Sequence, residues 1–453
     1  MFRQYIDLYN VQRELLCRHS AVPMNACREQ ALGALCGWCA TLPTALAERF
    51  RYTPLRQLMQ PEYGLNLNRL PFSVSRREAF RCGVPGISDQ PLLVVNDQPD
   101  THVIPDGRGE TPRVCTLRQL AAERPDIMDE HYARAARPDA DPVTALNTLL
   151  AQDGLAIIVP NGVRTTTPLQ VINLLSSPVD MMVNRRVLII VEPGASAQLL
   201  FCDHIAGSTA PAPATPRLLT TQVIEAYIGE GASLDLFCME ETGTSSVRLS
   251  QLFIEQQRDS HLSHNIVTLQ NGLTRNQTDV QLLGPGAEAY LGGCVIADGQ
   301  QHVDNNTLIR HAAPHCDSRE LYKYVLDGKA TGAFAGRVLV EQGAQKTTSK
   351  ETNQNLCASD DARMYTQPML EIYADDVKCS HGSTVGQLND QALFYMQQRG
   401  IPLAEARTLL QMAFLDEVID GISIEPLRQR LHHLVDRRFH GQQKNCDGCQ
   451  MCS

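Results

Sequence analysis

Two stretches of this 453-residue chain are near copies, "VEPGASAQLLFCD" (191–203) and "IGEGASLDLFCME" (228–240). Looser relatives are "LLGPGAEAYLGG" (282–293), "LVEQGAQKTTS" (339–349) and "IVPNGVRTTTP" (158–168). Their turn glycines, Gly162, Gly194, Gly231, Gly286 and Gly343, recur without a fixed period. Strand, glycine turn and strand, repeated irregularly, predict a stacked β-solenoid in which each rung covers the face its neighbour cannot bury alone. A β-sandwich shares the short-strand signature. The near copies favour the solenoid.

The flanks read differently. Residues 1–140 form a mainly helical N-terminal region, with Tyr5, Leu8, Val11 and Leu15 at helical spacing and turn-rich pieces such as "GVPGISDQP". The β-helix core is expected over 141–387 and a C-terminal helical domain over 388–440, followed by a Cys-rich tail at 441–453. In the helical domain, Asn389 or Asp390 can cap "QALFYMQQR", and Gly400 stops it. Pro402 then opens a helix carrying Leu403, Ala406, Leu410, Phe414 and Val418 on one face. A third helix carries Leu427, Leu431, Leu434 and Val435. These three helices are expected to cover the open end of the solenoid and to offer their outer faces to a partner.

Composition narrows the function. A net charge of −10 and no Lys/Arg run argue against nucleic acid. The longest apolar runs, "VLIIV" and "LAIIV", are too short to cross a bilayer. The opening residues lack the apolar core of a signal peptide, so a cytoplasmic protein is expected. The fifteen cysteines then read as thiols.

Several constellations carry potential chemistry. "CGWC" (Cys36, Cys39) has the spacing of a thioredoxin-type pair, but the residues before it read as helix, not strand. "HAAPHCDS" offers His311, His315 and Cys316 without a second ligand pair at zinc-site distance. The tail "NCDGCQMCS" places Cys446, Cys449 and Cys452 in a C-x2-C-x2-C array. It is a candidate auxiliary site for metal or cluster that needs a fourth ligand, set against a terminal tail with incidental thiols. Cys379 and His381 in "DDVKCSHGST" stand two apart, so an extended chain points both to one face. They can meet one metal, one sulfur species or one partner, or simply pack. Nothing assembles for hydrolysis or nucleotide binding.

"HVDNNTLIRHAAPHCDSRELYKYVLDGKATGAFAGRVLVEQGAQKT", "NQNLCASDDARMYTQPMLEIYADDVKCSHGSTVGQLNDQALFYMQQRGIP" and "ARTLLQMAFLDEVIDGI" strongly resemble the SufB/SufD family of iron–sulfur cluster assembly scaffolds. The match spans roughly residues 140–422, and "LPTALAERFRYTPLRQL" is a weaker N-terminal echo. SufB-like members carry a cysteine in a Thr-Gln-Cys-Asp-Ser-Leu-Leu segment and a Glu-His-Glu-Ala-Thr motif. Here those regions read "ETNQNLCAS" and "CSHGST", with about Asn353 at the cysteine position, which sets the chain apart from the SufB branch.

The resemblance implies a right-handed parallel β-helix between helical domains. It implies pairing with a SufB-like subunit and docking of a SufC-like ATPase on the C-terminal helices; unpaired solenoid edges also suit a homodimer when the chain is alone. It implies no enzymatic activity of the chain's own, a transient iron–sulfur cluster at the SufB interface and no cofactor held tightly by the isolated chain. Carried over, the interface histidine is His381, with Cys379 beside it. The competing readings are a metal-binding or redox protein acting through its own thiols and, further off, a β-helix enzyme of carbohydrates.

Overall fold

The computed structural model describes residues 1–72, 74, 84, 86–87, 91–100, 111–165, 167–206 and 216–441. Short strands alternate between two sheets. One sheet holds β4 (Leu155–Val159), β6 (Met181–Val191), β8 (Leu218–Ile228), β10 (Ser246–Gln256), β12 (Leu273–Leu282), β14 (His302–His311), β16 (Thr331–Val340) and β18 (Arg363–Ile372). The other holds β5 (Leu169–Leu175), β7 (Ser196–Ile205), β9 (Ser233–Glu241), β11 (His261–Gln270), β13 (Glu288–Ala297), β15 (Asp317–Leu326), β17 (Thr348–Cys357) and β19 (Lys378–Gly386). Every strand pairs in parallel with the next of its own sheet, so the chain is the parallel β-solenoid its repeats imply. From the N-terminal region, β1 (Leu92–Val95) adds in parallel to β5, β2 (Gln98–Pro99) runs antiparallel to β1, and β3 (Arg113–Thr116) runs antiparallel to β4.

The near copies are adjacent rungs: Ser196 pairs with Ser233 along β7 and β9. Alternation does the rest. Inward residues such as Phe201, Leu236, Leu291 and Phe334 fill the lumen, while outward ones such as Leu200, Phe237 and Cys294 meet helices.

The missing period has a physical explanation. From β4 to β17, each turn from the first sheet to the second passes through one residue of left-handed backbone, Gly162, Gly194, Gly231, Asp259, Gly286, His315 and Lys346 in succession; the turn from β18 to β19 has none. Three rungs use a non-glycine residue, and Asp and His tolerate this region better than most. The glycine signal therefore drops out while the geometry continues. Gly343 is not such a residue; Lys346 takes the left-handed position in that rung.

Helices coat both outer faces. Arg3–Arg18, Val22–Gly37 and Pro142–Leu150 pack over Met182, Leu219 and Leu249 of β6, β8 and β10. In the first of these the buried residues are Tyr5, Ile6, Tyr9 and Leu16, while Val11 is 78% exposed. Gln12 breaks the helical geometry and shifts the apolar stripe. The segment "RFRYT" extends along the same sheet: Phe50 lies under the Arg275 guanidinium, Thr53 donates to Asp304, and Tyr52 stacks on Tyr365 of β18.

At the other end of the chain, Asp390–Gln398 is capped by Asn389, whose side chain accepts from the backbone N–H groups of Gln391 and Ala392. Leu403–Ile419 and Glu425–Phe439 follow. The last two do not cover the open end, as expected from their amphipathicity. They run back over the outer face of the second sheet, burying Leu415, Val418, Ile419, Leu427, Leu431 and Val435 against Phe237, Val267, Ile296 and Leu321. Lys323 fixes this choice: its ammonium donates to the Phe414 carbonyl at 2.9 Å, pairs with Glu417 at 2.6 Å and lies over the Phe414 ring. Leu403 consequently stays exposed.

Turn strain should be measurable in urea unfolding. Gly231 has open space where a Cβ would go, so Gly231→Val isolates the left-handed penalty and should cost roughly 1–2 kcal/mol. Lys346→Gly should instead stabilise by up to about 1 kcal/mol.

Candidate functional site

The solenoid stops at β18 and β19, which are the last strands of their sheets, and no described element pairs with their outer edges. Exposed edges of this length are unusual unless something covers them. The last rung also exposes Tyr365, Ile372, Tyr373 and Val385.

Cys379 and His381 sit on β19 and share its lumenal face with Ser383. Cys379 packs near Val338, Leu370 and Ala374, and the Ser383 and Thr366 hydroxyls meet at 2.7 Å across the lumen. The thiol is half-buried and the imidazole exposed. Burial pushes the Cys379 thiol up, which favours its protonated form. The structure thus brings the pair together at an end of the solenoid where no described strand pairs with the edge.

Beneath them the lumen is polar. Asn353, aligned with Ser383, is fully buried; its amide donates to the Tyr322 carbonyl at 3.3 Å, and its side-chain oxygen accepts from Ser383. One position along, Glu320, Glu351 and His381 stand in register on β15, β17 and β19. Burial pushes the Glu320 carboxyl up. It pushes Glu351 up too, and the Glu320 charge adds to this. Sequence reasoning missed both carboxylates. Their signal was a spacing of one rung, 320 to 351 to 381, legible only once the period is known.

The other candidates disperse. Cys36 ends a helix and is exposed, with Cys39 just beyond it. His311 is buried, with Nε2 2.9 Å from the Ser318 hydroxyl. His315 is the turn residue of its rung, and the Cys316 thiol donates to the Gly284 carbonyl. Among the described residues no three His, Cys, Asp or Glu side chains converge as metal ligands, and no helix is long and apolar enough to cross a membrane. Cys446, Cys449 and Cys452 lie outside the described residues.

Residues 174–414 match the family model "SUF system FeS cluster assembly, SufBD core domain", and residues 1–171 match "SufBD protein N-terminal region". The chain is 30% identical to an iron–sulfur cluster assembly SufBD family protein of Synechocystis sp., covering 88% of this chain and 87% of the relative. It is 26% identical to the iron–sulfur cluster assembly protein SufD of Escherichia coli, over 88% and 90% of the two chains. The Bacillus subtilis SufD is 25% identical over 77% and 79%. The chain belongs to the SufBD family, and it is an iron–sulfur cluster assembly component of SufD type.

The lumenal carboxyls give a pH signature. Their raised folded values mean that the protonated forms favour the fold. That contribution is complete below the unfolded value of about 4.3 and is lost as pH rises through the folded values. In metal-free buffer, the melting temperature should fall between about pH 5 and 9, and Glu320→Gln/Glu351→Gln should flatten the fall. An equal slope in the double variant would refute the assignment.

Proposed function

We propose that this chain is the SufD-like subunit of a cytoplasmic Suf scaffold, without turnover of its own, that pairs with a SufB-like subunit through the open rung β18/β19. The observation that carries this reading is the placement of Cys379 and His381 on the lumenal face of an uncovered edge strand. A partner that continues the edges would complete the backbone hydrogen bonding and bury Tyr365, Ile372 and Val385. It would also bring its own ligands to His381 and Cys379. Thiolate and imidazole together suit iron, and a site divided between two chains can be dismantled by moving them apart. The cluster is cargo, built and handed on, and the isolated chain would hold none tightly. Alone, the same edge would serve a homodimer.

Energy for such movement would come from a SufC-like ATPase on the C-terminal helices. The helix Asp390–Gln398 leaves Phe394 and Tyr395 63% and 60% exposed, and Leu403 and Leu409 are exposed on the next helix. Aromatic anchors of this kind dominate protein interfaces.

In the complex co-purified with SufB-like and SufC-like partners, His381→Ala should leave assembly intact and collapse the cluster yield, read by absorption spectroscopy. An unchanged yield would make the histidine structural. Phe394→Ala/Tyr395→Ala should weaken retention of the ATPase about tenfold or more without affecting SufB pairing. Equal retention would move the docking site elsewhere.

A further inference from the structure

Two carboxylates in the lumen have no visible reason to be there. Glu320 and Glu351 are register partners on β15 and β17, each 1% exposed; the Thr307 hydroxyl of β14 lies against Glu320, and the Glu351 oxygens have no hydrogen-bond partner among the described residues. Neighbouring strands stand about 4.8 Å apart, so the two side chains project side by side. Tyr322, two residues beyond Glu320 on the same face, is fully buried, and its hydroxyl is unpartnered as well.

The chain does neutralise buried carboxylates elsewhere in the lumen. Asp203 faces Arg185 and Arg248, and Glu240 faces Arg248 and accepts from Thr274. Among the described residues no arginine or lysine pairs with Glu320 or Glu351. The Glu351 carboxyl seats directly over Gly336 of β16, where a Cβ would stand 2.3 Å from one of its oxygens, so the glycine makes room for the carboxyl. An unpaired carboxylate in a dry interior costs several kcal/mol, and two side by side cost more. Four carboxyl oxygens and a phenolic oxygen, with only the Thr307 hydroxyl against Glu320, are a ligand set for a cation, and oxygen donors favour Mg2+, Mn2+ and Fe2+ over softer ions.

We propose that Glu320 and Glu351, with the Tyr322 hydroxyl, form an inner site for an oxygen-preferring divalent cation of ferrous or manganous type, one rung inside His381. Waters complete its coordination. The site rests on the assembly reading only for the identity of its natural ion, iron waiting next to the place where the cluster is built. The binding itself stands apart from that reading.

Mn2+ is the probe, since thiolates such as those of the C-terminal tail bind it poorly. Titration of the full isolated chain, followed by loss of the free-ion electron paramagnetic resonance signal, should show one equivalent bound and displaced by Fe2+ under anaerobic conditions. Glu320→Gln/Glu351→Gln should weaken this uptake about tenfold or more, whereas His381→Ala should leave it within about threefold. Gly336→Ala, which changes no charge, should also weaken uptake by filling the space at Glu351. Equal uptake by the double glutamine variant would overturn the site. So would no uptake by a folded wild type; the pair would then be sharing a proton. Because His381→Ala separates the two sites, failure of cluster assembly and failure of cation binding are read independently.

Discussion

In-register stacking of parallel rungs is the constraint from which everything else follows. A rung buries one strand edge against the rung before it and leaves the other edge open, so each turn of chain is both a cap and a new template. β2, paired with β1, and the antiparallel β3 are the terminal strands of the two sheets at one end, and Leu117, Leu120 and Met128 pack beside them on the outer face of the first sheet. Among the described residues no strand pairs with the edges at the other. The open rung carrying Cys379 and His381 is thus where the proposed partner would add its strands, and a divided site there would need no rearrangement of the core.

Stacking also sets what the lumen can hold. Residues one period apart fall in a column, so a residue type repeated at that interval becomes a continuous line inside the protein. Near the start the lumen holds an ion-paired network that reaches across from one sheet to the other, Arg185 and Arg248 on the first and Asp203 and Glu240 on the second. Removing one member would strand a buried charge, which costs far more than the pair contributes. Towards the open end a separate column, which begins with Leu236, His264 and Leu291, ends in Glu320, Glu351 and His381. Charge that is balanced deep inside and unbalanced towards the mouth distinguishes structural from available groups.

The two helical layers show why amphipathicity leaves a destination open. A stripe of leucines says that a helix must be covered, and either the end of the solenoid or its flank would do. The flank wins for Leu403–Ile419 because Lys323 offers a buried ammonium to Phe414 and Glu417, and because Phe237, Val267, Ile296 and Leu321 present a wider apolar face. Arg438 adds a second fastening, donating to the Leu269 carbonyl and pairing with Asp298. With the helices on the flank, the edge strands stay free.

By itself the sequence determined the kinds of element and their order. The paired copies at 191–203 and 228–240 required stacking, Asn389 and Gly400 bounded a helix, and the spacing of Cys379 and His381 put both on one face, all of them local rules of backbone and side-chain period. Tertiary structure alone decided the rest. It put Asp259, His315 and Lys346 into turns that glycine fills elsewhere, because a stacked turn is held by its neighbours and can impose a left-handed residue. It also aligned Glu320, Glu351 and His381, which are about thirty residues apart and share no local signal. Register between rungs depends on the length of every turn between them, and that is settled only when the whole solenoid packs.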